Sequence, residues 1–359
     1  MNKFTNVFFL PDMRRNPYQD LLAKSVEKNG FAVGFTNFPS CNLPLFATIR
    51  ANPSTHVLHL HWINNLITRV FWSKNTRNAS VRIAFLVLDI IMVRLKGIRV
   101  VWTVHNRLSH ESPDPFRERL ARRWLAKTVN SLIFHSNDAL IDIENFLKFP
   151  LKRKSTIIPH GHYIGIYPEN AEKEQYFKKK FKIYDNDTVI IFFGAIRHYK
   201  GISTLLKIFT KTSNPHLKLL IAGRPFESEI SMEIEEAERY DSRINSYLDF
   251  IPDDDVNPLY AISHIAAIPF EKTLTSGSAI LAMSLKKALL LPDVARVIGL
   301  PNYHGTMFYK SHDDLYTILE NIPDKNILVN MGLTNFNVSN SLDWQTIGRK
   351  TVNIYKGII

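Results

Sequence analysis

Short apolar runs alternate with longer amphipathic stretches along most of the chain. In the first half, each apolar run predicts a β-strand, and the stretches between runs repeat apolar residues every three or four positions, as helices do. This alternation predicts an α/β fold in which parallel sheets carry helices on both faces. The predicted strands of this half are Asn6–Leu10, His56–Leu60, Arg99–Val104, Ser131–His135 and Ser155–Pro159.

A polar, charged stretch at residues 168–187 interrupts the alternation, which then resumes. We therefore expect two doubly wound parallel-sheet domains, residues 1–168 and 169–335, facing a cleft. The last segment, 336–359, is predicted to contain a helix that packs back on the first domain. The predicted strands of the second domain are Thr188–Phe193, Leu217–Ala222, Ile244–Phe250, His264–Ile268 and Ala288–Leu291.

Composition narrows the class of protein. The 359 residues are 45% hydrophobic and 22% charged, which is typical of a soluble globular protein of two domains. The single cysteine, Cys41, excludes a disulfide framework and a cysteine-based zinc site, and it suits a reducing compartment. The segment Val81–Leu95 is too short and too interrupted by charges to span a bilayer, so it predicts a mostly buried helix. The amino-terminal apolar stretch is too brief for a signal peptide, and we expect a cytoplasmic protein.

The net charge of +12 implies an acidic partner: nucleic acid, an anionic membrane surface or a phosphorylated substrate. Basic residues cluster at 117–127, 152–154 and 178–182. Each cluster alone is explained by a solvated helix face. Together they favour a peripheral association with the anionic inner face of the cell membrane.

Polar and glycine-rich loops follow most of the predicted strands. Ligands of open parallel sheets bind at the carboxyl ends of the strands, so these loops are the candidate sites. In the first half they are PDMRRNPY (11–18), HWINN (61–65), HNRLSHE (105–111) and HG (160–161). In the second half they are GAIRHYKG (194–201), AGRP (222–225), IPDDD (251–255) and TLTSGS (273–278).

The ordered set NPY, HWINN, TVHN with a later HE, IPHGHY, FFGAIRHYKG, AGRP and LTSGSAILAMS resembles the GT-B glycosyltransferases. Within them it is similar to bacterial exopolysaccharide and capsule transferases such as the GDP-mannose:glycolipid beta-mannosyltransferases. The resemblance implies two Rossmann-like domains, with a nucleotide sugar bound by the second and an acceptor bound by the first, and neither a cofactor nor a catalytic metal. In agreement, the sequence has no complete GxGxxG fingerprint and no compact cluster with metal-ligand spacing.

The loop FFGAIRHYKG would contact the diphosphate of the donor. The resemblance implies that Gly194 lets the backbone approach the ligand and that Arg197 and Lys200 contact the phosphates. Lys200 matches the family's lysine. Many members keep an arginine directly after the glycine, where this chain has Ala195, so Arg197 would substitute for it. From the residues alone, a solvated turn with two surface cations is the alternative.

Four small residues, Thr275, Ser276, Gly277 and Ser278, precede an apolar helix. The resemblance implies that the amides of the last three, with the hydroxyls of Thr275 and Ser276, face the same diphosphate. A plain helix N-cap at Ser276 is the alternative interpretation.

The loop HNRLSHE supplies the catalytic candidates His105, His110 and Glu111. GT-B enzymes often place a histidine that contacts the transferred sugar at the position of His105. An inverting transferase needs a general base for the acceptor hydroxyl, and either Glu111 or His110 suits that role. A structural role for a lone histidine remains open.

Four residues are predicted to lie on the acceptor side: Asn16, Tyr18, His61 and His160. Asn16 and Tyr18 follow the first strand, His61 follows the second, and His160 lies near the junction of the domains. Asn16 precedes a proline and is explained equally well as an ordinary helix start.

The resemblance implies transfer of one hexose, with mannose from GDP-mannose as the best choice, to a lipid-linked oligosaccharide in exopolysaccharide, capsule or O-antigen synthesis. Retaining members often carry two glutamates where this chain has Thr273 and Leu281, so inversion is favoured. The alternatives are a non-catalytic polyanion- or nucleic-acid-binding protein and an NDP-sugar epimerase of the GT-B type. No nucleic-acid-binding motif is present, so nucleic acid is not an expected partner.

Overall fold

The computed structural model describes residues 5–14, 16–71, 76–109 and 112–357. They form two compact units: the first comprises the described residues up to 161 together with 297–299 and 343–357, and the second comprises 162–296 and 300–342. The first boundary therefore follows residue 161 rather than 168. The segment after it is anchored in the second unit, where Tyr163 N donates to Ser284 Oγ (2.9 Å) and Asn257 Nδ2 donates to Tyr167 O (3.2 Å).

The first unit is a parallel sheet with helices on it. Its strands are β1 (Thr5–Leu10), β2 (Phe31–Phe35), β3 (Thr55–Leu60), β4 (Arg99–Thr103), β5 (Ser131–Phe134) and β6 (Ser155–Ile157). Its helices up to this point are α1 (Pro17–Lys28), α2 (Pro44–Ala51), α3 (Asn64–Phe71), α4 (Thr76–Leu95), α5 (Pro115–Thr128) and α6 (Asn137–Leu147). The order of the strands in the sheet is β2-β1-β3-β4-β5-β6, and every pairing is parallel.

The second unit repeats this architecture. Its strands are β7 (Thr188–Phe193), β8 (Leu217–Ala222), β9 (Ile244–Tyr247), β10 (Ile265–Ala267), β11 (Ala288–Pro292) and β12 (Thr306–Tyr309). Its helices are α7 (Ala171–Lys180), α8 (Ile202–Phe209), α9 (Ser228–Tyr240), α10 (Asp253–Ala261), α11 (Gly277–Ser284), α12 (His312–Glu320) and α13 (Lys325–Asn340). The order is β12-β11-β10-β7-β8-β9, again with parallel pairing.

The predicted α/β fold with two doubly wound parallel sheets is confirmed. The sequence patterns missed β2 and β12, and both lie at a sheet edge. Most of their residues are only half-buried, because an edge strand has a neighbour on one side. They therefore lack the continuous buried run that marks a central parallel strand. The segment 336–342, predicted to belong to the last helical segment, is instead part of α13 and its end in the second unit, because α13 continues to Asn340.

The last helix, α14 (Trp344–Lys356), belongs to the first unit and packs on α1. Ser25 Oγ on α1 donates to the carbonyl oxygen of Trp344. Gly348 allows this close approach, because a methyl group there would overlap Ser25 Oγ. Further along, Tyr355 packs in the core and its hydroxyl lies 2.6 Å from Nδ1 of His59 at the end of β3.

The expectation of a mostly buried helix over 81–95 is correct for one face of α4 only. Ile83, Leu86, Ile90 and Val93 are buried, whereas a second apolar row of the same helix is exposed. No helix among the residues that the structure describes is long and apolar enough to cross a membrane.

Replacing Gly348 with alanine should destabilise the protein by about 2 kcal/mol, because the added methyl group forces α14 away from α1. Urea unfolding followed by circular dichroism measures the change. Lys350→Ala, an exposed position on the same helix, is the matched control and should change little. Equal stability of Gly348→Ala and the wild type would contradict the packing of α14 on α1.

Candidate functional site

Each sheet has one topological switch point, where the chain stops adding strands on one side of the sheet and continues on the other side. In the second unit β7 lies between β8 and β10, so the chain builds one side of the sheet and then crosses to the other. In the first unit β1 lies between β2 and β3 in the same way. Loops leave such a switch point on opposite faces of the sheet, and the crevice between them is the usual ligand site of this architecture.

The loops after β7 and β10 meet at the switch point of the second unit. Glu271 N donates to the carbonyl oxygen of Tyr199 (3.4 Å). Gly201, with a φ of +72°, lies so close to the loop after β10 that a methyl group would overlap the carbonyl oxygen of Pro269. The two predicted donor-binding segments are therefore neighbours in space.

Glycines also bring the loops after β7 and β8 together. Gly194 and Gly223 adopt φ values of +110° and +150°, which side chains disfavour. A methyl group at Gly223 would overlap the carbonyl oxygen of Gly194, and Gly194 N donates to Ala222 O (2.9 Å). The backbone of Gly194 thus lies against that of Gly223, which was not among the predicted site residues, and the predicted approach of Gly194 to a ligand stays a prediction.

Lys200 turns back over this backbone. Its Nζ lies 3.6 Å from the point that a Cβ at Gly194 would occupy. Burial, with a smaller contribution from the charge of Arg197, lowers the pKa of Lys200 to about 8. A partly desolvated ammonium beside exposed backbone is suited to an anionic ligand, because such a ligand restores its charge stabilisation.

The side chain of Arg197, in the same loop, is positioned by contacts with the loop after β8. Its guanidinium stacks on the ring of Phe226, 4.0 Å from the ring centre, and lies 4.0 Å from Glu227 Oε1. The charge of Arg197 contributes to the lowered pKa of Lys200 in the same loop.

The start of α11 combines a cap with unused polar groups. Ser276 Oγ accepts a hydrogen bond from Ala279 N (3.1 Å), so the N-cap interpretation is correct for its side chain. The first amides of a helix have no partner within the helix, which leaves those of Gly277 and Ser278 for other acceptors. The neighbouring Thr275 Oγ1 is buried and has no hydrogen-bond partner among the described residues.

In the first unit, four neighbouring strands each place a histidine at their carboxyl end: His61 after β3, His105 after β4, His135 after β5 and His160 after β6. All four are buried, and we call them the histidine row. His61 Nδ1 lies 3.2 Å from His105 Nε2, so one nitrogen donates to the other.

The ring of Tyr18 on α1 packs against the histidine row. Its ring centre lies 5.2 Å from that of His105, 5.7 Å from that of His135 and 4.7 Å from that of His160. Trp62 stacks on His105 with ring centres 4.5 Å apart. These aromatic contacts exclude water from the imidazoles.

The histidine row is neutral near pH 7. Burial lowers the pKa of His135 to about 4 and that of His160 to about 3, and the pKa values of His61 and His105 lie well below their ordinary range for the same reason. His135 Nδ1 donates to Ile158 O (2.9 Å), so its Nε2 carries a lone pair, and that buried atom has no partner in the described structure.

The loop after β4 is held by a buried ion pair. Glu118 Oε1 lies 2.7 Å from Arg122 Nη2 and accepts the amide of Ser109 (2.7 Å), while Arg122 Nη1 donates to Asn106 O (3.0 Å). The catalytic candidates His110 and Glu111 follow in this loop and lie outside the described residues. Their roles stay predictions.

Among the acceptor-side candidates, Tyr18, His61 and His160 come together with the catalytic candidate His105. Asn16 does not join them through its side chain, because Asn16 Oδ1 accepts from Tyr18 N (3.1 Å) and caps α1.

Sequence reasoning missed His135, Trp62 and Gly223. Inspecting the residue at the end of every predicted strand would have found His135. Among the described residues, no group of three or more histidine, cysteine or acidic residues could hold a metal ion.

Residues 173–293 match the family described as Glycosyl transferases group 1. The chain is also similar to the GDP-mannose:glycolipid 4-beta-D-mannosyltransferase of Xanthomonas campestris pv. campestris, with 29% identity over 239 residues. That alignment covers 66% of this chain and 61% of the relative, so it spans less than two thirds of the relative's length.

Solved structures share the fold over almost the whole chain. Sucrose-phosphate synthase from Thermosynechococcus elongatus matches with a TM-score of 0.76 and 13% identity, covering 99% of both chains. Anabaena HepE in complex with UDP-glucose matches with a TM-score of 0.73 and 13% identity, covering 98% of this chain and 99% of HepE. The comparisons confirm the resemblance to glycosyltransferases and the GT-B fold.

Acidification from pH 7 to pH 5 should destabilise the protein through the histidine row. Above about pH 6.5 the folded and unfolded states bind the same number of protons at these sites. Below it the unfolded chain gains protons that the buried imidazoles cannot take up, so the free energy of unfolding falls; for His135, whose folded pKa is about 4, the loss at pH 5 is about 2 kcal/mol. Urea unfolding at pH 7, 6 and 5 measures this loss.

The variant His135→Gln isolates one member of the row. Because it removes a group whose pKa is held at about 4, it should lose less stability on acidification than the wild type. For each protein, the loss is measured relative to its own free energy of unfolding at pH 7. The same pH slope in both proteins would contradict a buried neutral His135.

Proposed function

We propose that the protein is a glycosyltransferase that moves one hexose from a nucleoside-diphosphate donor to an oligosaccharide acceptor. The observation that carries the proposal is the convergence of the loops after β7 and β10 at the switch point of the second unit. Together they supply a partly desolvated lysine, a capped helix start and glycine backbone in close contact. The match of residues 173–293 to the Glycosyl transferases group 1 family supports the same function.

In this mechanism the departing diphosphate gains negative charge as the bond to the sugar breaks. Lys200 and the amides of Gly277 and Ser278 stabilise that charge, because they are oriented before the reaction and partly shielded from water. Arg197 adds positive charge from the same loop, and Thr275 Oγ1 donates to a phosphate oxygen. Gly194 keeps the backbone clear for the ligand.

The proposed donor is GDP-mannose, which the name of the similar Xanthomonas campestris enzyme supports. The proposed stereochemistry is inversion. The two positions that carry glutamates in many retaining enzymes hold Thr273 and Leu281, and Leu281 is buried in α11 at 7% exposure. Neither residue can act as an acid or a base. The reaction as proposed needs no metal and no cofactor.

The first unit is proposed to bind the acceptor at the histidine row. Neutral imidazoles with pKa values far below 7 are poor proton acceptors at that pH, but they accept and donate hydrogen bonds to sugar hydroxyls. His105 would contact the transferred sugar, and His61, His160 and Tyr18 would line the acceptor side. Removal of the acceptor proton then falls to Glu111 or His110, in the loop that Arg122 and Glu118 hold.

We propose further that the acceptor is lipid-linked and that the enzyme works in the cytoplasm at the anionic inner face of the membrane, in exopolysaccharide, capsule or O-antigen synthesis. The net charge of +12 and the name of the similar glycolipid transferase support this setting.

Thermal-shift measurements should show a selective rise in melting temperature with GDP over UDP, ADP and dTDP, because a ligand that binds only the folded state stabilises it more, at a given concentration, the tighter it binds. Lys200→Ala should abolish most of the rise through loss of the phosphate contact. Lys207→Ala, an exposed lysine on the next helix, is the matched control and should keep it. Equal, salt-sensitive shifts with all four nucleotides would favour the polyanion-binding alternative. An unchanged rise in Lys200→Ala would contradict the phosphate role of Lys200.

The affinity for the donor should fall as the pH rises from 7 to 9. The pKa of Lys200 is lowered to about 8, so the ammonium that binds phosphate is lost across this range. The variant Lys200→Arg keeps its charge at all these pH values and should show a flat profile. Isothermal titration with GDP-mannose at pH 7, 8 and 9 measures both. A flat profile in the wild type would show that Lys200 does not bind the donor as an ammonium.

A further inference from the structure

The helix α4 is apolar on two faces, and only one of them is covered. Val81, Leu88, Ile91 and Leu95 are exposed to 48%, 45%, 41% and 81%. With the exposed Ala84 they repeat every three or four residues, so they form one row along the helix. A continuous exposed row of this length on a soluble protein indicates an interaction surface.

The adjacent helix α5 carries a second exposed row. Phe116, Leu120 and Trp124, four residues apart, are exposed to 70%, 36% and 40%. The two helices are linked at their carboxyl ends, where Arg94 Nη1 donates to Thr128 O (2.8 Å). We call the two rows together the α4–α5 surface.

Exposed charge on these two helices is positive. The only acidic residues on them, Asp89 of α4 and Glu118 of α5, are buried and engaged. Asp89 accepts the amides of Leu45 and Phe46 (2.8 Å each), and Glu118 pairs with Arg122. Basic side chains lie between the apolar ones: Arg82, Arg94, Arg119, Arg123 and Lys127.

Some of these cations are already placed beside aromatic rings. Lys127 Nζ lies 4.7 Å from the ring centre of Trp124, and the Arg119 guanidinium carbon lies 5.9 Å from that of Phe116. Aromatic rings beside lysine and arginine are the pairing found at the interfacial layer of a bilayer.

We propose that the α4–α5 surface docks on an anionic lipid bilayer, with α4 lying along the plane of the membrane. The apolar rows enter the boundary between headgroups and acyl chains, and the basic side chains contact lipid phosphates. Arg82, Asp89 and Arg94 interrupt α4 along its length, so it rests on the bilayer rather than crossing it. The inference rests on the proposed function only for the reason why the protein would bind a membrane, namely access to a lipid-linked acceptor.

Charge disfavours a second copy of the chain as the occupant. If two α4 rows packed antiparallel about Leu88, Arg82 of one copy would face Arg94 of the other. Parallel packing would set each arginine against itself. Neither arrangement offers an exposed acidic residue of α4 as compensation, so like charges would oppose each other. A surface of anionic headgroups complements the same arginines.

Co-sedimentation with vesicles tests the proposal. The wild-type protein should pellet with vesicles of phosphatidylcholine containing one third phosphatidylglycerol, and it should bind much less to pure phosphatidylcholine or at high salt. The double variant Leu88→Gln, Ile91→Gln should bind anionic vesicles about tenfold more weakly, because two partly exposed side chains no longer contribute apolar area. Both positions are exposed, so folding should be unaffected.

The matched control is the double variant Ile327→Gln, Val329→Gln on α13 of the second unit, whose side chains are exposed to 51% and 52%. It should bind vesicles as the wild type does. Unchanged vesicle binding by the α4 variant, or an equal loss in the control, would overturn the proposal. So would a wild-type dimer in sedimentation velocity that the α4 variant converts to a monomer, since the row would then be a dimer interface.

The outcome is separable from that of the proposed function. Titration with GDP-mannose in the absence of vesicles should give the same affinity for the α4 variant and the wild type. A protein that binds anionic vesicles through this surface but shows no nucleotide affinity would reject the transferase and leave the docking surface standing. A protein with the reverse behaviour would reject only the docking surface.

Discussion

Parallel strand pairing is the constraint on which the rest of the structure depends. Because every strand pairing in each unit is parallel, the carboxyl ends of the strands lie at one edge of each sheet. Residues far apart in sequence, such as His61 and His135, are brought together there. The same constraint places Lys200 beside the loop that leads into α11. Where the chain crosses from one side of the sheet to the other, the loops leave on opposite faces of the sheet, and the crevice beside them is the usual ligand site.

Burial lowers the pKa of the basic groups at both edges, but the charge that remains near pH 7 differs. In the second unit, burial lowers the pKa of Lys200, so the folded protein holds an ammonium that an anionic ligand would stabilise. In the first unit, aromatic packing around Tyr18 keeps the imidazoles neutral, so they act through hydrogen bonds rather than charge. The first edge therefore suits an uncharged polyol and the second a polyphosphate. This difference agrees with a transferase in which one unit binds the acceptor and the other the donor.

The helix α4 shows how one element can serve two environments. Its buried row packs in the first unit, and its exposed row has no cover among the described residues. Asp89, the only acidic residue on the helix, is turned inward to cap α2. That inward turn leaves the outer face of α4 without an exposed acidic residue, so its exposed side chains are apolar, basic or uncharged and polar, a combination that an anionic bilayer complements.

The sequence alone determined the class of fold, most strand positions, the caps at Asn16 and Ser276, and the segments that form the switch-point loops. These features are local: they depend on periodicity, on cap residues and on glycines, which act within a few positions of the chain. The motif order was sufficient to recognise the GT-B resemblance. The roles of His110 and Glu111 stay predictions, because both residues lie outside the described structure.

Only the tertiary structure decided which side chains meet. The order of strands in a sheet is not written in any short segment, so the histidine row and its member His135 could not be assembled from the sequence pattern. The sequence does not reveal the edge strands β2 and β12, because their burial is partial. It predicts α4 as mostly buried, because helical periodicity does not say what covers each face. Contacts between distant segments set burial, burial sets the pKa values, and neither can be obtained from residues taken one at a time.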